Sequence, residues 1–303
     1  VSFSFTVLGT SSALPTSRRY PSAYVLNVHE RIFLLDCGEG TQLLLRKYHF
    51  KMGRLNHIFI SHAHGDHTFG LFGLLSSFNL MGREHELHLY GTSDLENIIL
   101  THLQLFDIRL AYPLVFHPVN CKSSGLIYED KHVEIECFPM KHRIPTCGFM
   151  VREKQKLRKL KKEMLERYNI PIESRKVIKK GDDFITGEGR TIPNIELTED
   201  PPVPKSFAYC TDTLYNRELI SKIKDIDLLF HEATFMESEA QRATETFHST
   251  ARQAAMIAKE AGVRNLVLGH FSARYKNLSL LLSEAREVFP STELAEEGKV
   301  FQI

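Results

Sequence analysis

The sequence predicts an α/β protein: an αβ/βα sandwich of two mixed sheets flanked by helices, with an arm inserted near its middle. Three observations carry that expectation. Strand-type runs alternate with helical segments in both halves of the 303 residues, the pattern of sheets covered by helices. Three late apolar runs, "KSFAYCTDT", "DIDLLFHEATF" and "VRNLVLGHFSARY", each end in an acid or a histidine, as strands do where α/β folds gather chemistry beyond their ends. Residues 151–204 break the pattern with Pro, Gly and charge, which marks an insertion rather than core.

Taken in order, "VSFSFTVLGT", "SAYVLNV" and "RIFLLDCG" are expected as strands separated by turn residues, and "GTQLLLRKY" as a helix. "LNHIFISH" is a strand, "TFGLFGLLSSFNLM" the apolar helix after it, and "ELHLYG", "VEIECFPM" and "CGFMVRE" are strands again. Between Lys154 and Tyr168 the apolar Leu157, Leu160, Met164 and Tyr168 recur at three and four residues, which predicts an amphipathic helix. A last helix is expected over Thr250–Ala261. The chain reads as one domain over 1–303, with the arm at 151–204.

Composition narrows the class. With 43% hydrophobic and 25% charged residues the chain is an ordinary globular one. Its longest apolar stretch, Phe69–Met81, is broken by Gly70, Gly73, Ser76, Ser77 and Asn79 and falls short of the roughly 20 residues a bilayer span needs. No membrane is therefore expected, and "VSFSFTVLGT" has no basic region ahead of an apolar core, so neither is a signal peptide. Five cysteines without a C-x-x-C pair predict unpaired thiols in a reducing, cytoplasmic compartment. The net charge of +1 conceals twelve Lys or Arg against four Glu between Arg152 and Lys180. A segment at +8 suits attachment to a polyanion.

The chemistry is concentrated in "FISHAHGDHTFG". His62, His64, Asp66 and His67 fall within six residues after a strand, where turn positions i, i+2, i+4 and i+5 converge. Imidazole nitrogen and carboxylate oxygen bind zinc-like ions, and Gly65 keeps the turn uncrowded. Four donors do not complete two sites, so further ligands are expected at later strand ends: His142, Asp212 and His270. Asp212 can bridge with its two oxygens. The expected sets are His62, His64, His142 and Asp212 for one ion, and Asp66, His67, His270 and Asp212 for the other. The remaining eight histidines are expected to be structural or at the surface.

"SHAHGDH", with "LLDCGEGTQ" upstream and the later His, Asp and His, resembles the metallo-β-lactamase superfamily over nearly the whole chain. "FHEATF" and "FHST", with "CTDT" and "LGHFSARY", resemble the ribonuclease Z family within it. That resemblance implies two divalent ions per subunit, zinc foremost, and Asp36 as a buried support of the ligand turn. It implies cleavage of precursor tRNA to remove the 3′ trailer, leaving a 3′-hydroxyl on the tRNA and a 5′-phosphate on the trailer. Asp66 would help accept the proton of the attacking water, and His248, oriented by Glu232, would protonate the leaving oxygen. His231 would support catalysis or contact phosphate. Residues 151–204 take the place of the family's tRNA-gripping arm, with Lys159, Lys161, Lys162, Arg175 and Lys176 as candidate contacts, in a homodimer. The loop "PTSRRY" keeps Pro15 and Arg19 of the family's P-x-K-x-R-N pattern but has Ser17 and Tyr20, which leaves handling of CCA-bearing precursors open; Arg19 is a candidate substrate contact. The competing reading is a dinuclear phosphodiesterase or exonuclease on small or single-stranded substrates, and a third is an RNA-binding module without catalysis.

Overall fold

A computed structural model describes residues 3–303; Val1 and Ser2, the start of the first expected strand, lie outside the described residues. The chain begins with β1 (Phe3–Gly9), β2 (Ala23–Val28) and β3 (Arg31–Cys37), then α1 (Thr41–Lys47), β4 (Leu55–Phe59), α2 (Gly65–Leu80), β5 (Leu87–Gly91), α3 (Ser93–Leu105) and β6 (Leu114–Pro118). Next come β7 (Gly125–Glu129), β8 (Val133–Pro139) and β9 (Cys147–Glu153). The arm contains β10 (Lys159–Leu160), α4 (Lys162–Arg167), α5 (Ile172–Ile178), β11 (Phe184–Ile185), β12 (Thr191–Ile192), α6 (Asn194–Leu197) and β13 (Thr198–Glu199). The chain then completes the body with β14 (Ser206–Cys210), α7 (Leu219–Lys222), β15 (Leu228–Glu232), α8 (Ala240–Thr246), α9 (Ala251–Ala261), β16 (Asn265–Gly269), α10 (Ser279–Arg286), β17 (Thr292–Leu294) and β18 (Val300–Gln302).

Two seven-stranded sheets form the body, ordered β18-β1-β2-β3-β4-β5-β6 and β17-β16-β15-β14-β9-β8-β7. Both are mixed: β3 to β6 run parallel beside antiparallel β1 to β3, and β14 to β17 run parallel beside antiparallel β9. Strand alternation divides the apolar residues between two cores. Phe33, Leu35 and Phe59 join Phe5, Tyr24, Phe149, Phe207, Tyr209 and Phe230 between the sheets. Leu34, Ile58 and Ile60 turn to the other face, against Leu44 and Leu45 of α1 and Leu71, Leu74 and Leu75 of α2. Along α2 the buried His67, Leu71, Leu74 and Phe78 recur at helical spacing. At Gly70 a Cβ would stand 2.0 Å from the Gly38 carbonyl oxygen, so the helix lies directly against the turn after β3. The alanines of α9 (Ala254, Ala255, Ala258, Ala261) are buried on the second sheet's side. That helix starts at a Thr250–Gln253 capping box and stops at left-handed Gly262.

The arm, Glu153–Pro204, is a compact unit of its own, with a small core of Leu160, Ile170, Ile178, Phe184, Ile192 and Leu197. The helix expected over Lys154–Tyr168 is corrected: only Lys162–Arg167 is helical, because Lys159 and Leu160 are extended and pair with Glu199 and Thr198. Pairing lets Leu160 reach the arm's core. The unit holds twelve basic and ten acidic side chains, since Asp182, Asp183, Glu188, Glu196, Glu199 and Asp200 follow the basic run.

The five cysteines are likewise corrected. Cys121 and Cys147 form a disulfide across 26 residues of sequence, their Cα atoms 5.0 Å apart, while Cys37, Cys137 and Cys210 are free and buried. The loop after β6 and the start of β9 meet only in the folded chain, so spacing did not reveal the pair. No helix among the described residues is long and apolar enough to cross a membrane.

Candidate metal centre and its neighbouring acid pair

The HxHxDH segment leaves β4 as a short turn and enters α2, with His64 as the N-cap and Asp66 and His67 in the first turn. Asp212 lies just past β14, His270 just past β16, and His142 in the loop from β8 to β9. Both expected donor sets come together. His62, His64, His142 and Asp212 form one group and Asp66, His67, Asp212 and His270 the other, the candidate ligand atoms in each lying within 4.8 Å of one another.

The distances test the fit. In the first group His64 Nδ1 stands 3.0 Å from His62 Nε2 and 3.2 Å from His142 Nε2, and both Nε2 atoms are 3.7 Å from Asp212 Oδ2. In the second, His67 Nε2 is 3.3 Å from Asp66 Oδ2 and 3.4 Å from Asp212 Oδ1, and His270 Nε2 is 3.4 and 3.2 Å from the same two oxygens. A tetrahedral ion bound at about 2.0–2.1 Å separates its donors by about 3.4 Å. The donors therefore fit two such ions, with one Asp212 oxygen turned to each. His67 Nε2, fully buried, has no hydrogen-bond partner, as expected of a lone pair reserved for a cation.

Tautomers follow from the surrounding acceptors. His62 donates from Nδ1 to Ser61 Oγ at 2.9 Å, His67 to Asp36 Oδ2 at 2.7 Å, His142 to the Phe247 carbonyl at 2.9 Å, and His270 to Thr234 Oγ1 at 2.9 Å. Each is left with Nε2 free on the site. Asp36 is delivered by a β-bulge: it is the unpaired residue between Leu35 and Cys37 in the β2–β3 register, and it is left-handed, with φ 55°. A left-handed non-glycine costs roughly 1–2 kcal/mol, and bulges re-aim side chains beside functional sites. His270 is left-handed too, with φ 60°.

The two sites differ electrostatically. Burial holds His62 well below the usual imidazole range, and it lowers His64 and His142 as well, so all three offer neutral nitrogens. Burial opposes charge on His67 also, but Asp66, Asp212 and Asp36 surround it and hold it well above the ordinary value. That same negative field favours a divalent cation.

Beside the centre, Glu232 is completely buried. Its Oε1 accepts from His248 Nδ1 at 2.9 Å, Ser249 N at 3.0 Å and Thr213 N at 3.1 Å; its Oε2 accepts from Thr234 Oγ1 at 2.7 Å and Thr234 N at 2.9 Å. Burial would raise this carboxyl, yet His248 keeps it below the ordinary range. Burial would lower His248, but Glu232 and then Asp212 push it up to about 9. His248 opens onto a pocket of about 380 Å³ lined also by His64, Asp66, His142, Asp212 and His270.

Other expected site residues lie elsewhere. His231 is 1% exposed, donates from Nδ1 to the Glu232 carbonyl at 2.7 Å, and leaves Nε2 unpartnered in the interior. Alternation along β15 turns it away when Glu232 turns in, so phosphate contact does not suit it. Arg19 braces a loop, donating from Nη2 to the carbonyls of Ser272 and Tyr275 at 3.1 and 3.0 Å. In the arm, Lys159 pairs with Glu199, Lys161 donates to the carbonyls of Ile195 and Glu196, and Arg175 to that of Ile170. Lys162 and Lys176 are exposed, as are Lys156, Lys179 and Lys180. His57 lies within β4, stacked on His88 at 4.9 Å, away from the donor sets.

Sequence reasoning assigned no role to Thr234, Ser61, Tyr209, or the pocket-lining Arg143, Arg242 and Arg274. Thr234 was visible as the last letter of "HEAT", and Arg143 directly follows the candidate ligand His142; Tyr209 gave only a strand signal.

Comparisons with known proteins agree with this geometry. A family model described as anti-Pycsar protein Apyc1 matches residues 3–155, and one described as a beta-lactamase superfamily domain matches 203–271. The ribonuclease Z of Bacteroides fragilis is 48% identical over 98% of this chain and 97% of its own, and that of Bacteroides thetaiotaomicron 48% identical over 99% and 95%. Among solved structures, the short form of human tRNase Z superposes with a TM-score of 0.72 at 29% identity, covering 98% of both chains. The chain belongs to the ribonuclease Z family, within the metallo-β-lactamase fold.

Proposed function

We propose that this protein is the endoribonuclease that hydrolyses the phosphodiester bond at the 3′ end of precursor tRNA, releasing the trailer with a 5′-phosphate and leaving a 3′-hydroxyl on the tRNA. The observation that carries this reading is the meeting, at the floor of one pocket, of two donor sets, several of whose members line it, with His248, which Glu232 holds from behind. The histidine-rich donor set favours zinc, two ions per subunit. Bound there, the ions supply Lewis-acid activation of water and neutralise charge on the phosphoryl oxygens.

The residues of the chain do the rest. Asp212 places one oxygen in each set, and Asp66, at the mouth, is positioned to take up the proton of the attacking water. As the bond from phosphorus to the ribose 3′-oxygen breaks, that oxygen receives a proton from His248 Nε2, while Glu232 Oε1 keeps hold of the Nδ1 proton. Arg143, Arg242 and Arg274 line the pocket and suit the phosphates on either side of the cleavage point.

The arm is proposed to grip the tRNA through its exposed lysines, and the enzyme to work in the cytoplasm as a homodimer. Deleting residues 155–200 tests the reading. Loss of precursor-tRNA cleavage with retained hydrolysis of bis(p-nitrophenyl) phosphate is expected, and equal loss or equal survival on both substrates would overturn it.

A further inference from the structure

We propose that Tyr209 is a positioning residue for the second ion site, acting through Asp36 on His67. Its hydroxyl donates to Asp36 Oδ2 at 2.6 Å across 173 residues of sequence. The same oxygen accepts from His67 Nδ1 at 2.7 Å and Ser61 Oγ at 2.9 Å, while Oδ1 accepts from Ser61 N at 2.8 Å. Tyr209, Asp36, Ser61 and His67 are all buried, so none of these bonds competes with water. Burial, with Asp36 beside it, keeps the Tyr209 phenol protonated and able only to donate in this direction.

The topology gives the bond its consequence. Asp36 ends β3 in the first sheet, and Tyr209 stands on β14 in the second, three residues before Asp212. Of the second set, Asp66 and His67 come from the segment following β4, whereas Asp212 and His270 come from the ends of β14 and β16. The phenol is thus a polar pin between the two halves that must close on one ion. Without it, Asp36 keeps both Ser61 bonds but loses its anchor to the strand carrying Asp212. The first set is less exposed to that change, because Asp36 reaches His62 only through Ser61. Outer partners of this kind typically alter metal affinity 10–100-fold.

This inference rests on the reading that the donor sets hold ions, and the test separates the two. Metal-free protein is titrated with Zn²⁺ against a competing chelator. Wild type is expected to bind two ions. In Tyr209→Phe, which keeps the ring against Phe149 and Phe230, one ion binds as in wild type and the other about 10–100-fold more weakly. Tyr24→Phe is the control. Tyr24 is buried in the same aromatic cluster, with a hydroxyl that has no partner, and is expected to leave both affinities unchanged. Unchanged affinities in Tyr209→Phe, equal weakening of both ions, or the same loss in Tyr24→Phe would each overturn the role of Tyr209. Fewer than two ions in wild type would instead overturn the metal reading.

Discussion

Replacing Glu232 by Gln is expected to impair cleavage chiefly through His248, and the structure sets the size of the effect. With the carboxylate in place His248 is pushed up to about 9. Without it, burial opposes the charge with chiefly Asp212 left to favour it, so the imidazole falls well below that, and its ordinary value of about 6.5 serves as the reference. At pH 8 the protonated fraction then falls from about nine-tenths to about 3%, a loss of roughly thirtyfold before any misorientation is counted. Cations in the adjoining sites lower both values together, so the comparison between the two proteins is the quantity to read. Full loss of general-acid catalysis would cost about 10²–10⁴-fold, which brackets the effect from above. The assay is single-turnover cleavage of a 3′-extended tRNA from pH 6 to 9.5. The basic limb should move to lower pH in the variant, because His248 acts only when protonated. Bis(p-nitrophenyl) phosphate, whose leaving group departs without a proton, should be hydrolysed at a nearly unchanged rate. A variant profile superimposable on wild type, or a parallel loss on both substrates, would refute the assignment of Glu232 and His248 as an acid pair.

Other expectations test separate parts of the structure. Asp66→Ala should lower both cleavage and bound metal measured by elemental analysis, whereas His248→Ala should abolish most cleavage with metal content intact. His231→Leu should keep the cleavage rate within about threefold, since the ring is turned away from the pocket and its one hydrogen bond runs to the Glu232 carbonyl rather than to a donor residue. Gly70→Ala should lower thermal stability by an amount equivalent to about 1–3 kcal/mol, because the new methyl meets the Gly38 carbonyl. Thiol titration of denatured, unreduced protein should count three free thiols, rising to five after reduction.

Most of the donor set was legible because its chemistry is local or sits at strand ends. "SHAHGDH" concentrates four donors in one turn, and Asp212 and His270 each follow an apolar run that is easily read as a strand. The sheets were legible for the same reason: Leu34 and Phe33 fall on opposite faces by simple alternation. What escaped depends on pairs that only the folded chain creates. Tyr209 and Asp36 are 173 residues apart, and the bulge that aims Asp36 has no signature in "LLDCG". Cys121 and Cys147 carry no spacing motif. His231 and Glu232 are neighbours in sequence and both buried yet face opposite ways, so a motif match could not tell the residue that holds His248 from the one turned away from it. The arm misled in another way. Its basic run is followed by an acidic limb that returns to pair with it, as Glu199 does with Lys159, and its helical spacing is overridden by the extended pairing of Leu160.

The seven donors are supplied by both sheets, so a bound cation is also a staple between the layers of the sandwich. Ligand that binds only the native state adds to its stability by mass action, about 2.7 kcal/mol when free metal is at a hundredfold excess over Kd. Starvation for metal would then do more than silence the enzyme. It would loosen the body itself and expose the idle chain to proteolysis, linking the amount of this protein in the cell to the metal available to it.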